Sequence, residues 1–185
     1  KDALAYTLEN YPEITDIQMF THGPQSWKAT KAYDNFRPVA EAAQVRIWTH
    51  GSYLCVPWKE PKFVAHTLDN IRASQKLGSG CVVVHIPFLP VDEVVSGISS
   101  LVDHMRRSNL TNVKLMLEVS ATVKDDVRSY ESADKLNHLT KKLFAAGFDD
   151  CVRICVDTAH IFAGRAKITT ADDARLWWSN LDTRL

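Results

Sequence analysis

The sequence predicts an α/β fold in which parallel strands are joined by crossover helices. Two observations carry that prediction. Short apolar runs rich in β-branched residues alternate with longer helical patterns, and several of those runs, CVVV and RICV among them, are apolar on consecutive residues. Unbroken apolar runs suit strands buried on both faces, and strand-helix alternation implies βαβ units. With 185 residues and 45% hydrophobic content, the chain can bury one sizeable core but not two, so residues 1–185 are expected to form a single domain.

In chain order, the strand-like runs are Ile17 to Phe20, Val45 to Thr49, Cys81 to His85, Val113 to Glu118 and Val152 to Val156. Helical patterns fill the gaps at Lys28 to Ala43, Lys62 to Lys76, Val91 to Arg107 and Ala133 to Ala146, and a last one spans Ala171 to Leu181. Gly78 and Gly147 stand just past the second and fourth helices, where a chain leaving a helix needs a left-handed residue. There is no internal repeat or low-complexity tract.

Composition narrows the function. Lys plus Arg and Asp plus Glu are each 22, so no overall basic field attracts nucleic acid or an anionic membrane, and any polyanion site must be local. Cys55, Cys81, Cys151 and Cys155 form no CxxC pair, and Cys81 and Cys155 lie inside apolar runs, which suits a reducing intracellular compartment, cytoplasmic or nuclear. No run approaches 18 apolar residues, and the opening KDALAYTLEN lacks both a signal-peptide layout and an initiator Met. No membrane partner is expected, and a monomer is.

The strand ends carry the chemistry. His22 follows the first run, His50 the second, His85 and Glu118 close the third and fourth, and Asp157 follows the fifth with His160 three residues later. From His50 to His85 to Glu118 to Asp157 the steps are 35, 33 and 39 residues, one βα unit each, so these side chains return to the same end of successive parallel strands. In a βα barrel that end is the active face. A single histidine at a strand end is most often structural, but a series of His, His, Glu, Asp and His supplies the mixed nitrogen and oxygen donors that suit Zn²⁺ and also serve Mn²⁺ or Fe. His66, His104 and His138 fall in polar helical stretches, where a solvated face is expected.

The segments THGSYL, VVVHIPFLP, LMLEVS and RICVDTAHIFAG resemble, in order, the metal-ligand segments of endonuclease IV, the AP endonuclease family built on a TIM (β/α)8 barrel with a trinuclear zinc site. HGSYLCVPW further resembles versions from large DNA viruses. The resemblance runs from about Ile17 to Gly164 and implies a partial barrel of about five parallel strands. It implies that His50 and His85 bind the first zinc, that Glu118 bridges the first and second and serves the catalytic centre, that Asp157 binds the second and His160 the third. Tyr53 and Leu54 match the pair that intrudes into double-stranded DNA at an abasic site, and Gln25 stands in the first DNA-contacting loop where an Arg is frequent. Lys59 and Lys62 are candidate phosphate contacts. After Glu118 the family commonly has Asn-Thr, whereas this chain has Val119-Ser120.

The resemblance also implies a longer gene product, because a complete barrel needs on the order of 250 residues. The remainder would supply a further His, an Asp-x-His pair and a final Glu, and the five strands alone should have unpaired edges at Ile17 to Phe20 and Val152 to Val156. The expected activity is hydrolysis of the phosphodiester 5′ to abasic sites in base excision repair. The alternatives are a xylose-isomerase-like sugar isomerase or epimerase, which does not explain HGSYL, and a degenerate barrel that binds damaged DNA without cutting it.

Overall fold

A computed structural model describes residues 3–28, 35–121, 129–164 and 166–181. Helix α1 (Ala3–Asn10) precedes β1 (Asp16–Phe20), and the chain continues through α2 (Phe36–Ala42), β2 (Arg46–His50), α3 (Pro61–Lys76), β3 (Cys81–His85) and α4 (Val91–Arg107). It then forms β4 (Lys114–Glu118), α5 (Ala133–Ala145), β5 (Val152–Cys155), α6 (Thr158–Ala163) and α7 (Ala171–Asn180). The five strands pair in parallel in sequence order, β1-β2-β3-β4-β5. They form a barrel-like sheet that does not close, with β1 and β5 at its edges among the described residues.

The core lies between the sheet and its helices. Val82 and Val84 of β3 and Leu115 and Leu117 of β4 pack against Ile71, Ile98, Leu101, Leu136 and Leu139, all buried. Each such side chain contributes about 1.5–3 kcal/mol through its removal from water. The opposite face is less covered. Only β3 has the expected burial on both faces, while β2 alternates, with Trp48 42% exposed between buried Ile47 and Thr49.

Several boundaries differ from the sequence expectation. Strand β2 starts at Arg46 and includes His50, and β4 starts at Lys114. The expected helix from Lys28 begins only at Phe36, and residues 29–34 lie outside the described residues. Pro38 gives a reason: proline is tolerated only in the first turn of a helix, and a start at Phe36 puts it there. Strand β5 ends at Cys155, so Asp157 is the N-cap of α6, where its Oδ1 accepts the His160 backbone N–H at 2.9 Å. Neither α1 nor α6 was anticipated. Gly78 and Gly147 take φ values of +75° and +76°, as expected of residues that follow helices.

Candidate functional site

His50, His85 and Glu118 are the last residues of β2, β3 and β4, and His85 and Glu118 are direct partners in the parallel register. Parallel pairing therefore delivers all three side chains to one rim. His50 Nε2 lies 3.2 Å and His85 Nε2 2.9 Å from the same atom, Glu118 Oε2. The Glu118 carboxyl is buried, which by itself raises its pKa, but hydrogen bonds from His50 and His85 and their charges outweigh burial and hold it down at about 2. It stays an anion.

His50 Nδ1 donates to the Gly51 carbonyl at 2.6 Å, so its Nε2 donates to Glu118 only while the ring carries a second proton, and without that proton Nε2 turns a lone pair toward the carboxylate oxygen. Two acceptors 3.2 Å apart need a proton or a cation between them. A carbonyl-anchored histidine beside a shared carboxylate is the donor arrangement that zinc sites use.

A second group shares Glu118. His160 Nδ1 lies 3.9 Å from Glu118 Oε1 and 3.9 Å from Asp157 Oδ2, and it donates to the Val119 carbonyl at 2.7 Å. Val119 therefore orients His160 through its backbone, although it lacks the polar side chain the resemblance expects, and Ser120 Oγ donates to the Ile86 carbonyl. In each set, His50-His85-Glu118 and Glu118-Asp157-His160, one ligand-type atom per residue lies within 4.8 Å of the others. Either set could hold a divalent ion, and Glu118 belongs to both. Cys155 is the register partner of Glu118, but burial and then the Glu118 charge push its thiol up to about 11, so it supplies no thiolate near neutral pH.

Tyr53 stands on the β2 loop at the edge of this cluster, half exposed, with its ring centroid 5.4 Å from His85, 5.6 Å from Phe20 and 5.9 Å from His50. Leu54 beside it is partly buried, and Gln25 is exposed in the β1 loop. These two loops touch, since the Tyr53 N–H donates to the Pro24 carbonyl at 2.7 Å. From the cluster an open cleft of about 480 Å³ runs outward past Tyr53, Trp58, Lys59, Phe88 and Leu89. Lys62 does not line it and instead pairs with Glu60 at 2.8 Å.

His104 and His138 are exposed as expected, but His66 is not. It is 4% exposed, and with Asn70 and Ser74 it forms a polar seam along α3, one residue per turn. Ser74 Oγ bonds Thr49 Oγ1 at 2.6 Å, Asn70 Oδ1 accepts the Ser52 N–H at 3.1 Å, and Ser52 Oγ bonds His66 Nε2 at 3.1 Å. The signal available in the sequence was the 4-residue spacing beside the apolar stripe Val64, Leu68 and Ile71. His22 packs edge-on against His66 at 5.1 Å, and burial lowers the pKa of both.

A family model described as xylose isomerase-like TIM barrel matches residues 13–181. A probable AP endonuclease of African swine fever virus (isolate Tick/Malawi/Lil 20-1/1983) is 24% identical over 140 residues, covering 74% of this chain and 45% of its own length. A probable endonuclease 4 from Natronomonas pharaonis is 28% identical over 169 residues, covering 84% and 57%. Among solved structures, endonuclease IV from Thermus thermophilus superimposes with a TM-score of 0.73 at 25% identity, over 98% of this chain and 67% of its own. The crystal structure of AsfvAP:AG gives 0.80 at 18% identity, over 95% and 58%. The chain spans about half the length of the curated relatives it matches.

Proposed function

We propose, for a chain that belongs to the xylose isomerase-like TIM-barrel family, that it forms part of a zinc-dependent AP endonuclease that hydrolyses the phosphodiester 5′ to abasic sites in duplex DNA. The observation that carries this reading is the pair of three-residue sets sharing Glu118, with the half-exposed ring of Tyr53 packed against His85. The names of the relatives, probable AP endonuclease and probable endonuclease 4, support it further.

Bound Zn²⁺, up to three ions in the whole protein, would supply Lewis acidity that neutralises phosphate charge and lets water attack near neutral pH. The chain's own residues set the stage for that chemistry. Glu118 contributes a permanent anion between the two sets, His50 is locked in one tautomer by the Gly51 carbonyl, and the N-cap of α6 fixes Asp157 against His160. Tyr53 offers a flat apolar face where a nucleotide extruded from the duplex leaves a gap, Leu54 supports it, and Gln25 reaches from the adjoining loop. Lys59, exposed in the cleft wall, is placed to meet a backbone phosphate.

The barrel fold is shared with a xylose isomerase domain protein, which superimposes at a TM-score of 0.67, so fold does not separate nuclease from sugar isomerase. A direct assay does. The purified full-length gene product should nick a duplex carrying one abasic site on its 5′ side, leave the intact duplex whole, lose activity on chelation and regain it with zinc. Turnover of a free aldose with no nicking would replace this reading with the isomerase one.

A further inference from the structure

The geometry points to Asn70 as a positioning residue that locks the β1 and β2 loops into one unit. The lock itself stands on hydrogen bonds alone, and its use in gripping DNA rests on the nuclease reading above.

Asn70 is fully buried on α3 and touches neither the Glu118 cluster nor the cleft. Its Oδ1 accepts two hydrogen bonds, one from the Thr21 hydroxyl in the β1 loop and one from the Ser52 N–H in the β2 loop. Its amide group donates back to the His66 carbonyl at 2.8 Å, which fixes the orientation of the amide plane. Ser52 extends the network: its Oγ accepts the Leu54 N–H at 3.0 Å and bonds His66 Nε2. The residues on either side of Tyr53 are therefore both tied to this buried network, and Tyr53 itself is tied to Pro24, next to Gln25. One side chain of α3 thus adds to the direct Tyr53–Pro24 bond in holding together the two loops that carry Tyr53, Leu54 and Gln25.

A buried carbonyl oxygen that accepts from two loops costs each of them a partner when it is removed. Exposed loops otherwise sample many conformations, and substrate binding would have to select the aligned one. The consequence falls on binding rather than on the chemical step, because Glu118, His50 and His85 end their own strands and His160 is held in α6.

The test uses the full-length protein with two variants. Asn70→Leu keeps the branched shape and deletes both the acceptor and the amide donor to the His66 carbonyl, and Thr21→Val deletes one donor while leaving Asn70 in place, so it decides the matter if the first variant folds poorly. In Asn70→Leu, hydrogen-exchange protection at the Ser52 amide should fall at least about tenfold. KM for abasic duplex should rise about three- to tenfold while kcat and zinc content stay within about twofold, and Thr21→Val should move KM the same way by less. Combined with Tyr53→Ala, Asn70→Leu should add little, since the wedge it aligns is already gone. Unchanged protection at Ser52 in both variants, a loss of kcat and zinc with KM unchanged, or full multiplication with Tyr53→Ala would each overturn the proposal. If the parent does not cut abasic DNA at all, the nuclease reading fails, and the exchange measurement still decides whether the lock exists.

Discussion

His50, His85 and His160 at the rim and the pair His22 and His66 beside the β1 and β2 loops live in opposite environments. The first three converge on one carboxylate, with His50 and His160 each anchored to a backbone carbonyl through Nδ1. His66 is enclosed, and its Nε2 is taken up by Ser52 and Asn70. The difference teaches that residue type and position near a strand end do not make a ligand. What separates the two groups is a carboxylate in contact: Glu118 lies within 3.9 Å of all three rim rings, whereas His66 is bonded by a hydroxyl and an amide, and Asp69 acts on His22 and His66 only through its charge.

The hardest strike at this comparison is to remove the shared anion. Glu118→Gln keeps the shape and deletes the charge that both sets use, so zinc content and incision should fall together. The loss should exceed about 100-fold, the upper end of what disturbing a supporting hydrogen bond around a metal costs. Equilibrium dialysis with metal analysis beside the nicking assay checks it. Normal zinc loading in this variant would mean that the two sets do not depend on Glu118.

Tyr53→Ala separates binding from metal chemistry. If the exposed ring stacks on DNA, the variant loses about 1–3 kcal/mol of stacking, and cleavage of abasic duplex falls about 5- to 150-fold with zinc content unchanged. Zinc loss in parallel would instead make Tyr53 a packing partner of His85 and His50.

Acid should reach the two histidine groups in different ways. In chelated protein, His22 and His66 have pKa values held below 6.5 by burial, so the stability they contribute is fully present above 6.5 and is lost as pH falls below it. Glu118, depressed from 4.5 to about 2, contributes stability that is present above 4.5 and lost between there and about 2. Unfolding temperature should therefore fall in two stages, and His66→Gln should flatten the upper one. Asp69 opposes the upper stage by favouring the charged form of both rings.

How much of this was legible in the sequence follows from the same contrast. Strands β3 and β4 and helix α4 were readable because continuous or periodic apolar residues have no other use, and the rim positions followed from βα spacing. The position of His66 was not, because a polar residue on a helix looks solvated until the loop that covers it is known, and Ser52 comes from another element. Helix α6 was missed because its signal is an Asp at the N-cap with only six residues behind it.

The smallest effect concerns charge at the cleft, and it divides Lys59 from Lys62. Both Nζ atoms lie near the Phe63 ring, at 5.7 and 5.1 Å from its centroid, and both side chains are exposed. Lys62 already has Glu60 beside it, so a phosphate that approached it would meet a partly neutralised charge. Lys59 lines the cleft wall with no carboxylate that close among the described ion pairs. Each phosphate neutralised releases condensed counterions and contributes about 0.9 to the slope of log K against log salt. Lys59→Gln should thus flatten that slope by about one unit, and Lys62→Gln by clearly less, with kcat unaffected in both. Fluorescence-anisotropy titrations of abasic duplex across a salt series measure the two slopes side by side. Equal slopes in the two variants would show that the Glu60 pairing does not persist when DNA is bound, and an unchanged slope for Lys59→Gln would move the DNA backbone away from this wall of the cleft.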